Sequence, residues 1–346
     1  MEKQFQGNQN KKTNGAIMKI VVVSFHTCGR VIKICRALKN LGYELHLITH
    51  LMPANKNLFD SVNIYTTDGE LESTLNLFSD KDIYHVHNEP SKESTIIRVK
   101  YPNARIVLDM HDSNYWRIDG MKWFEEDVAM QCADALVFTS KSMQDSIEKF
   151  EKPHIIVPSA TLKEDFRHGA WNFWGGLVSQ GGHKMPNDEN PLENWRDYTA
   201  LYTLMKNRKQ VFAYSPHFER GSALDEHYIA LGCKLGVFSH QELLQNMGRH
   251  EWSLVGNLKK AKVWELALPN KFFDSLAGGI PMVNFGCKEV TPLIDNFDVG
   301  INVETVDELL ERWDEHTSKR YKVFLNREFF AMERYIGKLT KLYGEL

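Results

Sequence analysis

The sequence predicts two successive α/β domains, each built around a parallel sheet with helices on both faces. Its 346 residues suffice for two domains of about 150 residues each. Short apolar runs, which are typical of buried parallel strands, alternate with amphipathic helical stretches through both halves of the chain. The first unit has strands at 19–24 and 44–49, with a glycine-containing turn and a helix between them, and predicts a right-handed βαβ crossover.

The strand-like runs place the boundary between the two predicted domains near residue 160. In the first half they continue at 62–65, 82–87, 104–110, 135–140 and 154–158, and in the second half they lie at 177–179, 210–214, 228–231, 235–238, 252–255, 280–283 and 300–303. The predicted organisation is a disordered lead at 1–17, an N-terminal domain at 18–160, a C-terminal domain at 161–318 and one long helix at 319–346. Because that helix is rich in aromatic residues, we expect it to pack back on the first domain.

Composition and charge exclude several classes of protein. A formal net charge of −3 lacks the basic excess typical of nucleic acid binding, so no nucleic acid partner is expected. Five scattered cysteines without a CxxC pair favour reduced thiols in the cytoplasm. No apolar stretch is long enough to span a bilayer, and the N-terminus lacks the apolar core of a secretory signal. Lys33, Arg36 and Lys39 could share one helix face, so peripheral membrane contact is an alternative to a solvated face.

The segment 268–285, LPNKFFDSLAGGIPMVNF, is the strongest candidate for ligand binding. Pro269 suits the first turn of a helix, because its fixed φ fits there and its missing N–H is not needed. Asn270, Lys271 and Asp274 then lie within about one turn of each other. A glycine pair ends the helix before the next buried strand. The helix would present a cation and a carboxylate at one end of the sheet, which suits a polar ligand.

Polar residues also follow the strands of the first half. His26, Gly29 and Arg30 belong to the turn after the first strand, and His111 follows the strand at 104–110. Because ligands in open α/β sheets bind at the carboxyl ends of the strands, we expect these residues to face a cleft. The turn contains one glycine, so the GxGxxG pattern of a dinucleotide site is absent.

A pair of histidines, His85 and His87, lies on the strand at 82–87. We expect only one of the two to face the cleft. Without a third ligand the pair does not predict a metal site, and no metal is expected.

Segments in both halves of the chain carry a family resemblance. In the first half they are KIVVVSFHTCGRVIKICRALKNLGYELHLIT, DIYHVHN, IVLDMHD and ALVFTSKSMQD. These resemble the N-terminal domain of glycosyltransferase family 4, which has the GT-B fold. In the second half, LPNKFFDSLAGGIPMVNFGCKEVTPLIDNFDVGINVETVDELLE resembles the nucleotide-sugar segment of that family. The resemblance covers residues 18–160 and 235–315. It implies a divergent member with two Rossmann-like domains facing a cleft and a C-terminal helix packed on the first domain.

The resemblance implies a role for each candidate residue. Asp274 stands where the family has a glutamate that holds the ribose hydroxyls, and Lys271, beside Asn270 at a helix N-terminus, would contact the diphosphate. His111 would contact the donor sugar or assist proton transfer. The other candidates are Lys184 for the diphosphate, Gly236 and Val237 for the nucleobase, and His26, Gly29 and Arg30 for acceptor or phosphate. Neither a metal nor another cofactor is expected, since GT-B enzymes neutralise the leaving diphosphate with cations, backbone N–H groups and helix N-termini.

The chain departs from the family at one position. The family has an additional glutamate eight residues before the position of Asp274, where this chain has Leu266, with Glu265 out of register. The resemblance implies a hexosyltransferase that moves a sugar, with retention, from a nucleotide sugar to a saccharide or lipid-linked acceptor in cell-surface polysaccharide biosynthesis. The missing acid keeps two alternatives open. One is a catalytically degenerate GT-B protein that binds a nucleotide sugar or a partner transferase, and the other is a nucleotide-sugar 2-epimerase.

Overall fold

The computed structural model describes residues 18–87, 91–111, 124–147, 151–168, 173–186 and 194–346. Thirteen strands in these ranges form two parallel sheets, seven from the first half of the chain and six from the second. The predicted pair of parallel-sheet α/β domains is confirmed. The lead predicted at 1–17 lies outside the described residues.

The first sheet begins at the start of the described chain. Its strands are β1 (Lys19–Ser24), β2 (Glu44–Thr49), β3 (Ser61–Ile64), β4 (Ile83–His87), β5 (Arg105–Met110), β6 (Ala135–Phe138) and β7 (His154–Ile156). They pair in parallel in the order β3-β2-β1-β4-β5-β6-β7. The order reverses between β1 and β4, and a ligand crevice opens at such a reversal outside the carboxyl ends of the strands. His26 and His111 follow strands that end at this edge.

Helices cover both faces of this sheet. Those in the described ranges are α1 (Gly29–Asn40), α2 (Asp68–Leu75), α3 (Lys92–Lys100), α4 (Phe124–Cys132) and α5 (Lys141–Ser146). Ile20 and Val22 face a core shared with α1, whereas Val21 and Val23 face the core on the opposite side. The uninterrupted apolar sequence of β1 follows from this double coverage.

The second sheet repeats the arrangement. Its strands are β8 (Leu177–Gln180), β9 (Val211–Tyr214), β10 (Cys233–Gly236), β11 (Trp252–Gly256), β12 (Met282–Phe285) and β13 (Gly300–Val303). The helices described in this part of the chain are α6 (Thr199–Met205), α7 (Ala223–Ala230), α8 (His240–Met247), α9 (Lys262–Leu266), α10 (Asn270–Gly278), α11 (Thr291–Phe297) and α12 (Val306–Glu311). The parallel order is β10-β9-β8-β11-β12-β13. Its reversal lies between β8 and β11, so the second crevice opens there.

The strand predicted at 228–231 is wrong, because most of this segment belongs to α7. Ser222 caps the helix by accepting a hydrogen bond from the N–H of Asp225, and acidic residues fill the first turn. Asp225 and Tyr228, three residues apart, are buried, whereas Ile229 is 58% exposed. Burial therefore follows the helical period, and the apolar run alone was a poor guide.

The single helix predicted at 319–346 is also wrong. The tail forms α13 (His316–Asn326) and α14 (Ile336–Glu345), with two short 3₁₀ turns between them. The break places Phe330 against Phe272 of α10, with ring centroids 5.2 Å apart. Helix α14 then packs against α1 and β7, and the Tyr343 hydroxyl lies 2.6 Å from Nδ1 of His85.

The two domains share one apolar core. It joins Ile34 and Leu38 of α1 to Phe272 and Phe273 of α10 and to the buried face of α14. Helix α10, which carries the candidate donor site, is therefore packed directly against the first domain.

The cations of α1 do not form a free basic face. Lys33 Nζ lies 2.7 Å from Asp274, Arg36 binds Asp165 at 2.7 Å, and Lys39 binds Asp60 at 2.6 Å. Peripheral membrane contact, the alternative to a solvated face, would therefore have to compete with these ion pairs. Among the described helices, none combines the length and apolar character needed to cross a bilayer.

The contact between Tyr343 and His85 yields a stability prediction. Replacing Tyr343 with Phe leaves a buried ring nitrogen without its partner, and we expect the free energy of unfolding to fall by about 1–3 kcal/mol. Urea denaturation measures this change. Tyr321→Phe is the matched control, because Tyr321 is exposed and its variant should unfold like the wild type. Equal stability of the two variants would contradict the proposed anchoring of α14.

Candidate active site

Lys271 is the centre of the site in the second domain. It lies in the first turn of α10, after Pro269 in an extended conformation at the N-cap. Its Nζ lies 2.6 Å from the Tyr198 hydroxyl and 4.7 Å from the centroid of the Tyr198 ring. No carboxylate of the described residues forms an ion pair with it. Lys271 is thus held by aromatic and hydroxyl contacts and keeps the capacity to bind an anion.

The surroundings of Lys271 disfavour its charge. Burial, followed by repulsion from Arg196, lowers the pKa of Lys271 to about 7. Gly181, with φ +93°, follows β8, and a Cβ on it would stand 3.5 Å from Cε of Lys271. On Gly182 a Cβ would come within 2.8 Å of an Arg196 nitrogen, so a side chain there would displace Arg196. Glycine therefore allows two cations to approach one loop, an arrangement suited to a diphosphate.

Asp274 lies one turn further along α10 and faces the first domain. Lys33 Nζ donates to its Oδ1 at 2.7 Å, and the Thr161 hydroxyl donates to the same oxygen at 3.3 Å. His240 Nε2 lies 4.0 Å from this oxygen. Among the described residues both hydrogen bonds end on Oδ1, which leaves Oδ2 for a ligand. The candidate ribose ligand is therefore also part of a contact between the domains.

The remaining candidates for donor binding differ in their exposure and packing. Asn270 is exposed at the start of the helix, and Val237 is 57% exposed after β10. Gly236 packs so closely that a Cβ would meet Phe238 at 2.5 Å and Tyr214 at 2.9 Å. Only glycine fits at this position.

Lys184 belongs to the loop that follows β8. Its N–H donates to the carbonyl of Arg196 at 3.2 Å, and its carbonyl accepts from Tyr228 at 2.8 Å. His183 beside it is fully buried, and burial followed by repulsion from Lys271 lowers its pKa to about 3. A neutral His183 donates from Nδ1 to the carbonyl of Gly181 at 3.0 Å and so holds the loop beside Lys271.

The first-domain candidates meet at the carboxyl edge of the first sheet. His26 is exposed, and burial of part of its ring followed by the proximity of His111 lowers its pKa. Open space adjoins Gly29, where a Cβ would contact nothing within 4 Å. His111 is half-buried and interacts with Cys28. Burial opposes ionisation of that thiol, but the charge and hydrogen bond of His111, together with backbone hydrogen bonds from Val31 and Arg30, lower the pKa of Cys28.

The Arg30 side chain points into the first domain. Its Nε and Nη2 donate to the two carboxylate oxygens of Asp109, each at 2.9 Å, and the side chain is almost fully buried. A direct contact of Arg30 with acceptor or phosphate would require this ion pair to break.

The expectation that only one of His85 and His87 faces the cleft side is wrong. Side chains two residues apart on a strand share a face. The two rings stack with centroids 4.5 Å apart, and both lie beside Asp109. Asp109 completes a group of three with these histidines, and the sequence interpretation missed it. It lies on the neighbouring strand β5, two residues before His111, and this position could have revealed it.

The position of the missing family acid lies at the domain junction. The Leu266 side chain packs against the core of the first domain, and its carbonyl accepts from Ser140 at 2.9 Å. Glu265 pairs instead with Lys288 at 2.9 Å, on the wall of a cavity of about 500 Å³ beside β11, β12 and β13. That cavity does not include Lys271 or Asp274, and Glu265 does not replace the family acid at the cleft.

Several residues of this site were not found from the sequence. They are Lys33, Arg196, Tyr198 and His240. Each comes from an element distant in sequence from α10, and no local motif marks them.

Comparison with known proteins supplies the name of the fold. No protein-family model and no curated protein matches the sequence. Among solved structures, an α-glucosyltransferase in complex with UDP and a 13-mer DNA containing an HMU base matches with a TM-score of 0.66 and 14% identity, over 93% of this chain and 98% of that chain. AviGT4, a glycosyltransferase involved in avilamycin A biosynthesis, matches with a TM-score of 0.60 and 12% identity, over 95% of this chain and 98% of that chain. Arabidopsis thaliana UGT89C1 complexed with UDP-L-rhamnose matches with a TM-score of 0.58 and 9% identity, over 94% of this chain and 98% of that chain. The predicted GT-B fold is confirmed, and membership of family 4 stays a prediction.

The lowered pKa of Lys271 yields a pH prediction. A diphosphate binds the protonated lysine, so affinity should be full below pH 7 and weaken by roughly tenfold per pH unit above it, until the pKa of the bound state is reached. Calorimetric titration with UDP, GDP and ADP between pH 6 and 9 measures this dependence.

Two variants test the assignment to Lys271. Lys271→Arg should make the affinity for the diphosphate nearly independent of pH between 6 and 9, because arginine stays charged through this range. Lys288→Met should keep the pH dependence, since Lys288 is exposed and lies on the separate cavity. A wild-type affinity that does not vary with pH would exclude Lys271 from the diphosphate site.

Proposed function

We propose that the protein is a glycosyltransferase that moves a sugar from a nucleotide sugar to a saccharide or lipid-linked acceptor. The observation that carries the proposal is Lys271 at the start of α10, beside Arg196 and the Gly181–Gly182 loop and with no ion-pair partner among the described carboxylates. This cation lies at the crevice of the second sheet on a helix packed against the first domain. The GT-B fold and the UDP or UDP-sugar in the titles of several structural neighbours support the same proposal.

The donor would bind along α10 and the loops around it. Lys271 would neutralise the diphosphate, with Lys184 and the exposed Asn270 at its margin. Oδ2 of Asp274 would accept hydrogen bonds from the ribose hydroxyls. Backbone groups of Gly236 and Val237 would receive the base, because Val237 is exposed and its backbone follows a strand end.

Transfer would take place between this helix and the edge of the first sheet. The bond from the anomeric carbon to the diphosphate breaks as the acceptor oxygen attacks, and a departing phosphate oxygen takes the acceptor proton on the same face, which retains configuration. Lys271 stabilises the charge that develops on the diphosphate. His111 would hold the sugar, while His26 and the open space beside Gly29 would receive the acceptor.

Domain contact would protect the donor from hydrolysis. Lys33 binds the carboxylate that we assign to the ribose, so donor binding and the approach of the domains share one residue. A closed cleft excludes water from the anomeric carbon. We further propose membership of family 4, a hexosyl donor, a cytoplasmic location and a role in cell-surface polysaccharide biosynthesis.

One observation favours a second candidate function. Leu266 fills the position of the family acid with an apolar, partly buried side chain that packs against the first domain, and Glu265 is bound to Lys288. A protein that binds a nucleotide sugar without transferring it would tolerate this change. The same observation weighs against a 2-epimerase, which would need several acids at the sugar.

Nucleotide release from a panel of UDP-, GDP-, ADP- and dTDP-sugars tests the proposal. We expect turnover with one nucleotide class, increased by a saccharide or lipid-linked acceptor, and a loss of kcat/KM of about 10²–10³-fold in Lys271→Met. Lys288→Met is the control and should retain activity, since it lies on the separate cavity.

The possible outcomes separate the two candidate functions. Binding of a nucleoside diphosphate without turnover of any donor would replace the transferase by the binding protein. Stimulation by duplex DNA alone would contradict the proposed acceptor class, and no nucleotide binding at all would contradict both functions.

A further inference from the structure

Three buried side chains converge below the cleft in the first domain. His85 and His87 come from β4, and Asp109 comes from the neighbouring strand β5. Oδ2 of Asp109 lies 3.4 Å from Nε2 of His85 and 3.7 Å from Nδ1 of His87. One atom from each residue can be chosen so that all lie within 4.8 Å of one another. The two nitrogen-to-oxygen separations are close to the roughly 3.3–3.6 Å between ligands of a tetrahedral ion with bonds of about 2.0–2.2 Å, whereas atoms 4.8 Å apart would have to approach each other to share the ion.

The ring nitrogens of this cluster lack partners. His87 is 1% exposed, and neither of its nitrogens has a hydrogen-bond partner among the described residues. The same holds for Nε2 of His85. Buried polar groups are normally satisfied, and two of these nitrogens, Nε2 of His85 and Nδ1 of His87, face one carboxylate oxygen at 3.4 and 3.7 Å without a hydrogen bond that satisfies them.

The contact with Tyr343 is compatible with a ligating form of His85. Tyr343 lies 2.6 Å from Nδ1 of His85, and either Nδ1–H donates to the hydroxyl or the hydroxyl donates to Nδ1. In the first tautomer Nε2 carries a lone pair directed at Oδ2 of Asp109. Two lone pairs at 3.4 Å repel each other unless a cation lies between them. A metal-bound histidine usually has its other nitrogen held by such an outer partner.

We propose that His85, His87 and Asp109 bind one divalent transition-metal ion in the first domain. Two imidazoles and one carboxylate suit Zn²⁺, whereas Mg²⁺ and Ca²⁺ prefer oxygen ligands throughout. Arg30 would be an outer partner that orients the carboxylate through both of its oxygens. Its positive charge also opposes the ion, so we expect weaker binding than in a triad without arginine.

The ion would have a structural role. All three ligands are buried, so no coordination position opens to a substrate in the cleft. The ion would join the ends of β4 and β5 and, through His85 and Tyr343, the last helix. It would therefore lie beneath the acceptor edge, next to the strand that leads to His111.

Metal analysis of the full-length protein without a histidine tag tests the proposal. After dialysis against a chelator, we expect about one equivalent of Zn²⁺ to rebind and to raise the Tm. Co²⁺ should bind with the visible absorption of a tetrahedral nitrogen and oxygen site. His87→Gln should lose the equivalent, the absorption and the Tm shift.

His46→Gln is the matched control. His46 lies on β2 of the same sheet and binds Ser61 and Glu44, so this variant should keep the metal. A wild-type protein that binds no stoichiometric Zn²⁺ or Co²⁺, or a His87→Gln variant that binds as the wild type does, would overturn the proposal.

A crystal of the wild-type protein soaked with Zn²⁺ gives an answer that does not depend on folding of the variant. The expected anomalous peak lies between Nε2 of His85, Nδ1 of His87 and Oδ2 of Asp109. A peak only at other residues would also overturn the proposal.

Discussion

A buried ion pair between Lys33 and Asp274 joins the two domains across their shared apolar core. Its partners are 241 residues apart in sequence, and their side chains are only 4% and 10% exposed. Burying two charges costs desolvation energy, and removal of either partner would leave the other charge uncompensated. Loss of one partner should therefore cost more stability than loss of a partner from a surface ion pair, which makes the pair a specific contact between α1 and α10.

This ion pair divides the charges of α10 between two neighbours. Lys271 turns toward Tyr198 of its own domain, whereas Asp274 turns toward the first domain. The helix can thus bind a polyanion at its start and a hydroxyl-bearing group one turn later. The carboxylate of Asp274, which would bind the hydroxyl-bearing group, also binds Lys33 of the first domain. A donor that contacts both residues would couple its own binding to domain approach.

Much of the fold follows from local sequence, whereas the contacts at the site do not. The alternation of strands and helices, the start of α10 after Pro269 and the glycine turn that ends it are local features, and the structure has all of them. The ion pairs of Lys33 and Arg30 join residues far apart in the chain, so no spacing rule could pair them. The break in the tail coincides with a 3₁₀ turn that places Phe330 against Phe272 of α10, a tertiary contact that the sequence of the tail does not reveal. The shared face of His85 and His87, by contrast, was available from strand periodicity.

A crystal structure with a bound nucleoside diphosphate tests the central claim most directly. We expect phosphate oxygens within about 3 Å of Nζ of Lys271 and ribose hydroxyls within about 3 Å of Oδ2 of Asp274. We also expect the nucleotide to lie between α10 and the carboxyl edge of the first sheet. A nucleotide bound instead in the cavity lined by Lys259, Lys260 and Lys288, with Lys271 and Asp274 free of contacts to it, would contradict the assignment of the donor site to α10.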